Sequence, residues 1–196
     1  RSSDLGAIDI TKSLTENIKN VAAKMNRNVD EITLVMLDRE RHHGLMKEAR
    51  DLGARIMLIS DGDVNPAMEC CIEGSGVHMV VGTGGAPEGV LAAAALKCVG
   101  GDMQARLKPE TEEEIRRCHE MGITDVNQVL TLDDLVRTDD VIFAATAITR
   151  GNLLNAIQYF PGGARTHTIV MRSKTGTVRF LDTVHMDEKL KSLKAK

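Results

Sequence analysis

An α/β fold, with a mostly parallel sheet, helices on both faces and a C-terminal β-hairpin, is what this sequence predicts, and three observations carry the prediction. Short apolar runs recur at 32–37, 56–59 and 77–81, each followed by a stretch with helical spacing, and strands buried on both faces between crossover helices read this way. The runs end in polar, mostly glycine-bearing segments, the signature of strand ends where ligands gather in open parallel sheets. Near the C-terminus, two β-branched stretches flank Ser173-Lys174-Thr175-Gly176, a hairpin pattern.

In chain order, the first element is a helix from 11 to about 25, because Leu14, Ile18, Val21, Ala22 and Met25 fall on one face. A fully buried strand at 32–37 follows, then a helix carrying Leu45, Met46, Ala49 and Leu52, a strand at 56–59 and a helix at 63–72. The strand at 77–81 leads into a helix from Pro87 to about Cys98 that Gly100-Gly101 ends. Residues 110–121 form a helix that is acidic at its start and closed by Gly122, in keeping with the helix dipole. A further buried strand at 141–148, a short helix at 153–157 and a hairpin of 166–172 with 177–183 complete the domain. The expected division is a junction at 1–10, one α/β domain at 11–186 and a frayed, Lys-rich tail at 187–196.

Composition excludes several functions. With no Trp, one Tyr and three Phe among 196 residues, the core is aliphatic, and base-stacking platforms for nucleic acid need aromatics. A net charge of −3 supplies no general field for nucleic acid or anionic membrane, so a polyanion must meet a local cluster. Cys70, Cys71, Cys98 and Cys118 form no CxxC or zinc-type grouping and read as reduced thiols of a cytoplasmic protein. No apolar run approaches the roughly 20 residues of a membrane span, and no signal peptide is visible.

The most distinctive segment is Val80-Val81-Gly82-Thr83-Gly84-Gly85-Ala86-Pro87-Glu88-Gly89-Val90, a strand that breaks into a glycine turn and opens a helix. Glycines let backbone approach a ligand, Pro87 suits the first helical turn, and a helix N-terminus favours anions. The turn lacks the Lys-Ser/Thr of a P-loop and only half supplies a dinucleotide fingerprint. A structural corner and an anion site are equally consistent with this local pattern. Glu88 reads either as a partner of the helix dipole or as a metal ligand.

Other strand ends add candidates. Arg39 and Arg41 offer bidentate forks to a phosphate, or a solvated loop paired with Asp38 and Glu40. Asp61-Gly62-Asp63 can accept from sugar hydroxyls or bind a cation, while Asp63 also reads as an N-cap. His42 and His43 read as surface residues at a helix start and His78 as a packed strand residue. With Thr146-Ala147-Ile148-Thr149-Arg150-Gly151, four strand ends are expected to converge on one edge.

The strings LDRERH, ISDGDV, GTGGAPEGVLAAAALKCVGGDMQARL and DDVIFAATAITRGNLL, in this order and spacing, closely resemble the class II fructose-1,6-bisphosphatases, of the lithium-sensitive, metal-dependent sugar phosphatase superfamily. The resemblance covers nearly the whole chain and corresponds to the C-terminal half or so of a longer protein. It implies that Arg39, Glu40 and Arg41 contact a sugar bisphosphate, with the arginines on the phosphate that is not cleaved. It also implies that Asp61, Gly62 and Asp63 hold sugar hydroxyls, that Gly85 contacts substrate through its backbone, and that Glu88 ligates Mg or Mn. The activity implied is hydrolysis of fructose 1,6-bisphosphate to fructose 6-phosphate in gluconeogenesis, with sedoheptulose 1,7-bisphosphate a substrate of some relatives. The family's other metal ligands have no counterpart in residues 1–36. Together with Arg1 at the start, this implies a fragment or one half of a nicked chain, inactive alone and partnered by its N-terminal half, with residues 1–10 the remainder of a junction. A homo-oligomer is the family's usual assembly. A non-catalytic sugar-phosphate sensor is the alternative.

Overall fold

A computed structural model of the chain describes residues 6–186, and the expected tail at 187–196 lies outside them. The first helix, α1 (Leu14–Lys24), opens with a capping box in which the Ser13 hydroxyl accepts from the Glu16 N–H and the Glu16 carboxylate accepts from the Ser13 N–H. Residues expected to be a junction are fastened to the domain: Ala7 is buried in the core, the Gly6 N–H donates to Asp102 and the Ile10 N–H to Gln104.

A three-stranded parallel sheet follows, with β1 (Thr33–Leu37) at its centre, β2 (Arg55–Ile59) on one side and β3 (Met79–Val80) on the other. The crossovers are α2 (His43–Asp51) and α3 (Val64–Glu69). Alternation along β1 sends Leu34 and Met36 into one core with Ile18 and Val21 of α1 and Met46 and Ala49 of α2. Each large aliphatic side chain fully buried there contributes about 1.5–3 kcal/mol. Val35, on the other face, is fully buried but lines a cavity of about 1260 Å³ with Ala67 of α3 and Ala92 and Leu96 of α4 (Ala86–Val99). As an edge strand with both Met57 and Leu58 exposed, β2 is less covered than its apolar sequence implies.

Helix α4 is capped by Gly85 and ends at Gly100, whose φ of +70° suits glycine. Its small side chains let α3 and the second sheet approach closely, so Ala95 and Cys98 share a core with Met68, Phe143, Ile169 and Met171. Beyond it run β4 (Gln104–Ala105), α5 (Glu112–Glu120), β5 (Leu130–Thr131, paired with β4) and α6 (Leu132–Leu135).

The predicted hairpin is present and longer than expected. Strands β8 (Gly163–Arg172) and β9 (Thr177–Met186) pair antiparallel along their whole length, around a 3-10 turn at Ser173–Thr175. On its other side β8 pairs with β6 (Ile142–Thr146) and β7 (Gln158–Phe160). Two expectations are corrected here. The strand at 141–148 does not lie buried beside the parallel sheet: it runs antiparallel in the hairpin's sheet with Phe143 buried and Ile142 69% exposed, because one face alone meets α4. No helix forms at 153–157: the Gly151 N–H bonds to the Leu154 carbonyl and the Ile157 N–H to the Ile148 carbonyl, and Leu154 is buried in the core. These turn bonds and the anchoring of Leu154 in the core hold the stretch out of a helical hydrogen-bond pattern. The helix expected over 63–72 likewise ends at Glu69 and the strand expected over 77–81 pairs as Met79–Val80, both within the expected spans.

Candidate functional site

Every substrate-contact and metal-ligand candidate lies at the carboxyl edge of the parallel sheet. Beyond β1, the chain enters a 3-10 turn at Glu40–His42 that leads into α2. Arg39 folds toward β2, its Nη1 donating to the Asp38 carbonyl at 2.9 Å and its Nη2 to the Ser60 carbonyl at 2.7 Å. Arg41 reaches the other way, across to the glycine turn after β3, where its Nε and Nη2 both donate to the Thr83 carbonyl at 3.0 and 2.7 Å. The two guanidinium groups thus tie the three strand ends together while remaining exposed to solvent. Glu40 is exposed beside them.

At the end of β2, the Asp61 carboxylate accepts its neighbour Gly62's N–H at 2.8 Å, and Gly62 has a φ of +81° that glycine adopts without strain. Asp63 stands at the N-cap position of α3, yet its side chain makes no capping bond, so the capping explanation does not account for this carboxylate. It lies against the glycine turn instead: a Cβ on Gly84 would come within 3.0 Å of Asp63 Oδ2. The next glycine serves the second carboxylate, because a Cβ on Gly85 would overlap Glu88. Asp63 and Glu88 therefore flank Gly84-Gly85, with Glu88 exposed in the first turn of α4.

These carboxylates are hard oxygen donors of the kind Mg and Mn take, so the residues present fit part of a divalent-cation shell. Among the described residues no group of three or more His, Cys, Asp or Glu stands close enough to hold a metal.

His42 is the residue that sequence reasoning misplaced. It is buried, with 1% of its surface exposed, while His43 is exposed as expected. Its Nε2 accepts the Thr83 N–H at 2.8 Å and its Nδ1 lies 2.8 Å from the Leu37 carbonyl, which assigns the neutral tautomer with the proton on Nδ1. The ring occupies the space a side chain at Gly82 would need, since a Cβ there would lie 2.9 Å from Cε1. Adjacent Arg41 and His42 thus grip the C=O and N–H of the same residue, Thr83. His78 is half-buried and its Nδ1 accepts the Thr33 N–H at 2.9 Å.

The fourth strand end, 146–151, does not share this edge, because β6 belongs to the antiparallel sheet. It approaches from α3 instead, with Asn65 near Gly151 and the Asn152 amide donating to buried Glu69 at 3.2 Å.

The sequence profile of a family described as "Bacterial fructose-1,6-bisphosphatase, glpX-encoded" matches residues 2–185. The chain belongs to this family. Curated relatives include proteins named D-fructose 1,6-bisphosphatase class 2/sedoheptulose 1,7-bisphosphatase. That of Crocosphaera subtropica is 43% identical over 203 residues, covering 97% of this chain and 59% of the relative. That of Synechococcus elongatus is 44% identical over 200 residues, covering 96% and 58%. The chain therefore spans less than two thirds of the length of these relatives, and corresponds to their C-terminal portion. No helix among the described residues is long and apolar enough to cross a membrane.

Proposed function

We propose that this chain is the substrate-recognising portion of a divalent-metal-dependent sugar bisphosphatase of the cytoplasm, hydrolysing fructose 1,6-bisphosphate to fructose 6-phosphate and phosphate in gluconeogenesis. The observation that carries the reading is the gathering of Arg41, Asp63 and Glu88 around the Gly82–Gly85 turn, with Arg39 and Asp61 at the neighbouring strand ends, in a member of this family. Arg39 and Arg41 bind the phosphate that is retained: carbonyls hold both guanidinium groups in place and leave N–H groups for phosphate oxygens. Glu40, Asp61, Gly62 and Asp63 receive the sugar, and the backbone of Gly85 approaches it where no Cβ intrudes. Glu88 is one ligand of Mg or Mn, which when bound supplies positive charge to phosphoryl oxygens.

The remaining ligands belong to the part of the relatives' length that this chain does not span, so the chain alone is inactive. Its partners are that N-terminal portion and further copies in a homo-oligomer, not nucleic acid or membrane. The double name of the relatives favours a second reading, in which sedoheptulose 1,7-bisphosphate is also hydrolysed.

Reconstitution tests the proposal. Mixed with the N-terminal portion and Mn or Mg, the chain should release phosphate from fructose 1,6-bisphosphate. Binding without turnover in the reconstituted pair would leave a sugar-phosphate-binding module and refute the enzyme. Glu88→Ala should abolish turnover while largely sparing sugar-phosphate binding, and intact turnover in that variant would remove Glu88 from the metal shell.

A further inference from the structure

The amino-terminal edge of the parallel sheet carries a second concavity, of about 250 Å³. Its wall includes Arg27, in the loop after α1, Arg55, which opens β2, the Gly74-Ser75-Gly76 turn before β3, and His78. Thr33 opens β1 in the same wall, while Leu37 ends β1 at the site described above. Four residue steps of β-strand separate the two, roughly 13 Å. The carboxyl-edge site and this concavity therefore lie toward opposite ends of the same strands, while Cys70 and His78 line both cavities.

Three features of this wall suit an anion. Arg27 and Arg55 are exposed, and neither guanidinium has a hydrogen-bond or ion-pair partner among the described residues. Gly74 and Gly76 have φ of +79° and +75°, and their N–H groups make no hydrogen bond among the described residues. Such turns present N–H groups to anions. The turn is braced from behind, since the Ser75 hydroxyl donates to the Glu69 carbonyl at 2.6 Å and accepts the Val77 N–H at 3.2 Å. His78 shares the wall, with its Nδ1 accepting the Thr33 N–H. One carboxylate shares the wall, that of Glu31, and it is engaged by the Asn28 N–H at 2.8 Å. Two arginines against one carboxylate leave the wall positive.

We propose that this pocket is a second anion site, taking a phosphate or phosphomonoester group. Guanidinium forks match phosphate oxygens bidentately, and two of them share this wall with the glycine turn. The volume holds a phosphate with a small substituent and is below the range of about 300–1,000 Å³ that encloses larger organic ligands.

The test is an amide and arginine Nε NMR titration of this chain with inorganic phosphate, with methyl phosphate, and with sodium chloride at matched ionic strength. Gly74 and Gly76 should shift saturably with a Kd of about 1 mM, the scale of a weak two-arginine site. Arg27→Gln and Arg55→Gln should each weaken that response about tenfold. Arg39→Gln and Arg41→Gln should leave it unchanged, so the outcome is independent of the bisphosphatase reading. Saturation by both ligands supports a phosphomonoester site, and saturation by inorganic phosphate alone supports a site for the free ion. A drift matching chloride, or saturation undiminished in Arg27→Gln and Arg55→Gln, would overturn the proposal.

Discussion

The contact between His42 and Gly82 lends itself to a double-mutant cycle. Replacing His42 by Ala removes hydrogen bonds to Thr83 and Leu37 and empties a buried ring site. At about 1 kcal/mol for each bond and 1–2 kcal/mol for the lost packing, the variant should lose about 3 kcal/mol. Replacing Gly82 by Ala places a Cβ 2.9 Å from Cε1 and 3.1 Å from Nε2 of a ring pinned at both nitrogens. Overpacking of this kind costs about 2 kcal/mol, and a side chain at a φ of +159° adds about 1 kcal/mol of backbone strain. In the double variant the ring is absent and the Cβ enters vacated space but keeps its backbone strain, so the total should stay near 4 kcal/mol instead of the additive value of about 6, a coupling of about 2 kcal/mol. Urea unfolding of the four proteins, followed by far-UV circular dichroism, measures this directly. Additivity within about 0.5 kcal/mol would show that the ring does not set the space beside Gly82.

Other expectations are equally direct. Gly163→Ala should cost about 3 kcal/mol in urea unfolding, because the new Cβ would meet the His185 carbonyl oxygen and crowd the Phe160 ring, and backbone cannot step aside without parting β8 from β9. Burial, with smaller contributions from Cys71 and Glu69, pushes the Cys70 thiol up to about 12. Iodoacetamide at pH 8 should therefore label Cys70 about two to three orders of magnitude more slowly in the folded chain than in urea, as followed by peptide mass spectrometry. The hydrogen bond from Arg172, reinforced by its charge, holds Asp140 below the usual carboxylate range. A lowered folded value makes this pair stabilising above about pH 4 and progressively lost as the pH falls through the folded value. Arg172→Gln should then flatten stability against pH in that acid window, and an unchanged slope would discount the pair.

What the sequence made legible follows from how local each cause is. Apolar runs of strand length and helix-spaced faces are short-range signals, so the parallel sheet, its crossovers and the hairpin could all be read from them, as could the edge on which Arg39, Asp61 and Glu88 stand. The partner of a strand is not a short-range property. Residues 141–148 carry the same apolar character as the parallel strands, and only the pairing of Phe143 with Met171 assigns them to the antiparallel sheet. His42 was misread for the same reason. Beside Arg41 and His43 it looks like part of a solvated helix start, and its burial depends on a turn 41 residues later whose Gly82 leaves room for the ring. The glycine at 82 is the one trace of that contact in the sequence.

The grip of Arg41 on the Thr83 carbonyl makes affinity at this edge a difference between two bonds. An anion that claims the same Nε and Nη2 hydrogens must compete with a main-chain acceptor already 2.7 Å away, whereas one that uses the remaining hydrogens finds the guanidinium already oriented. The first mode would surrender part of the binding enthalpy to loosening the glycine turn, and the second would tighten it. Amide protection at Thr83–Gly85 should accordingly fall or rise on ligand addition, giving the sign of the linkage between occupancy and local order.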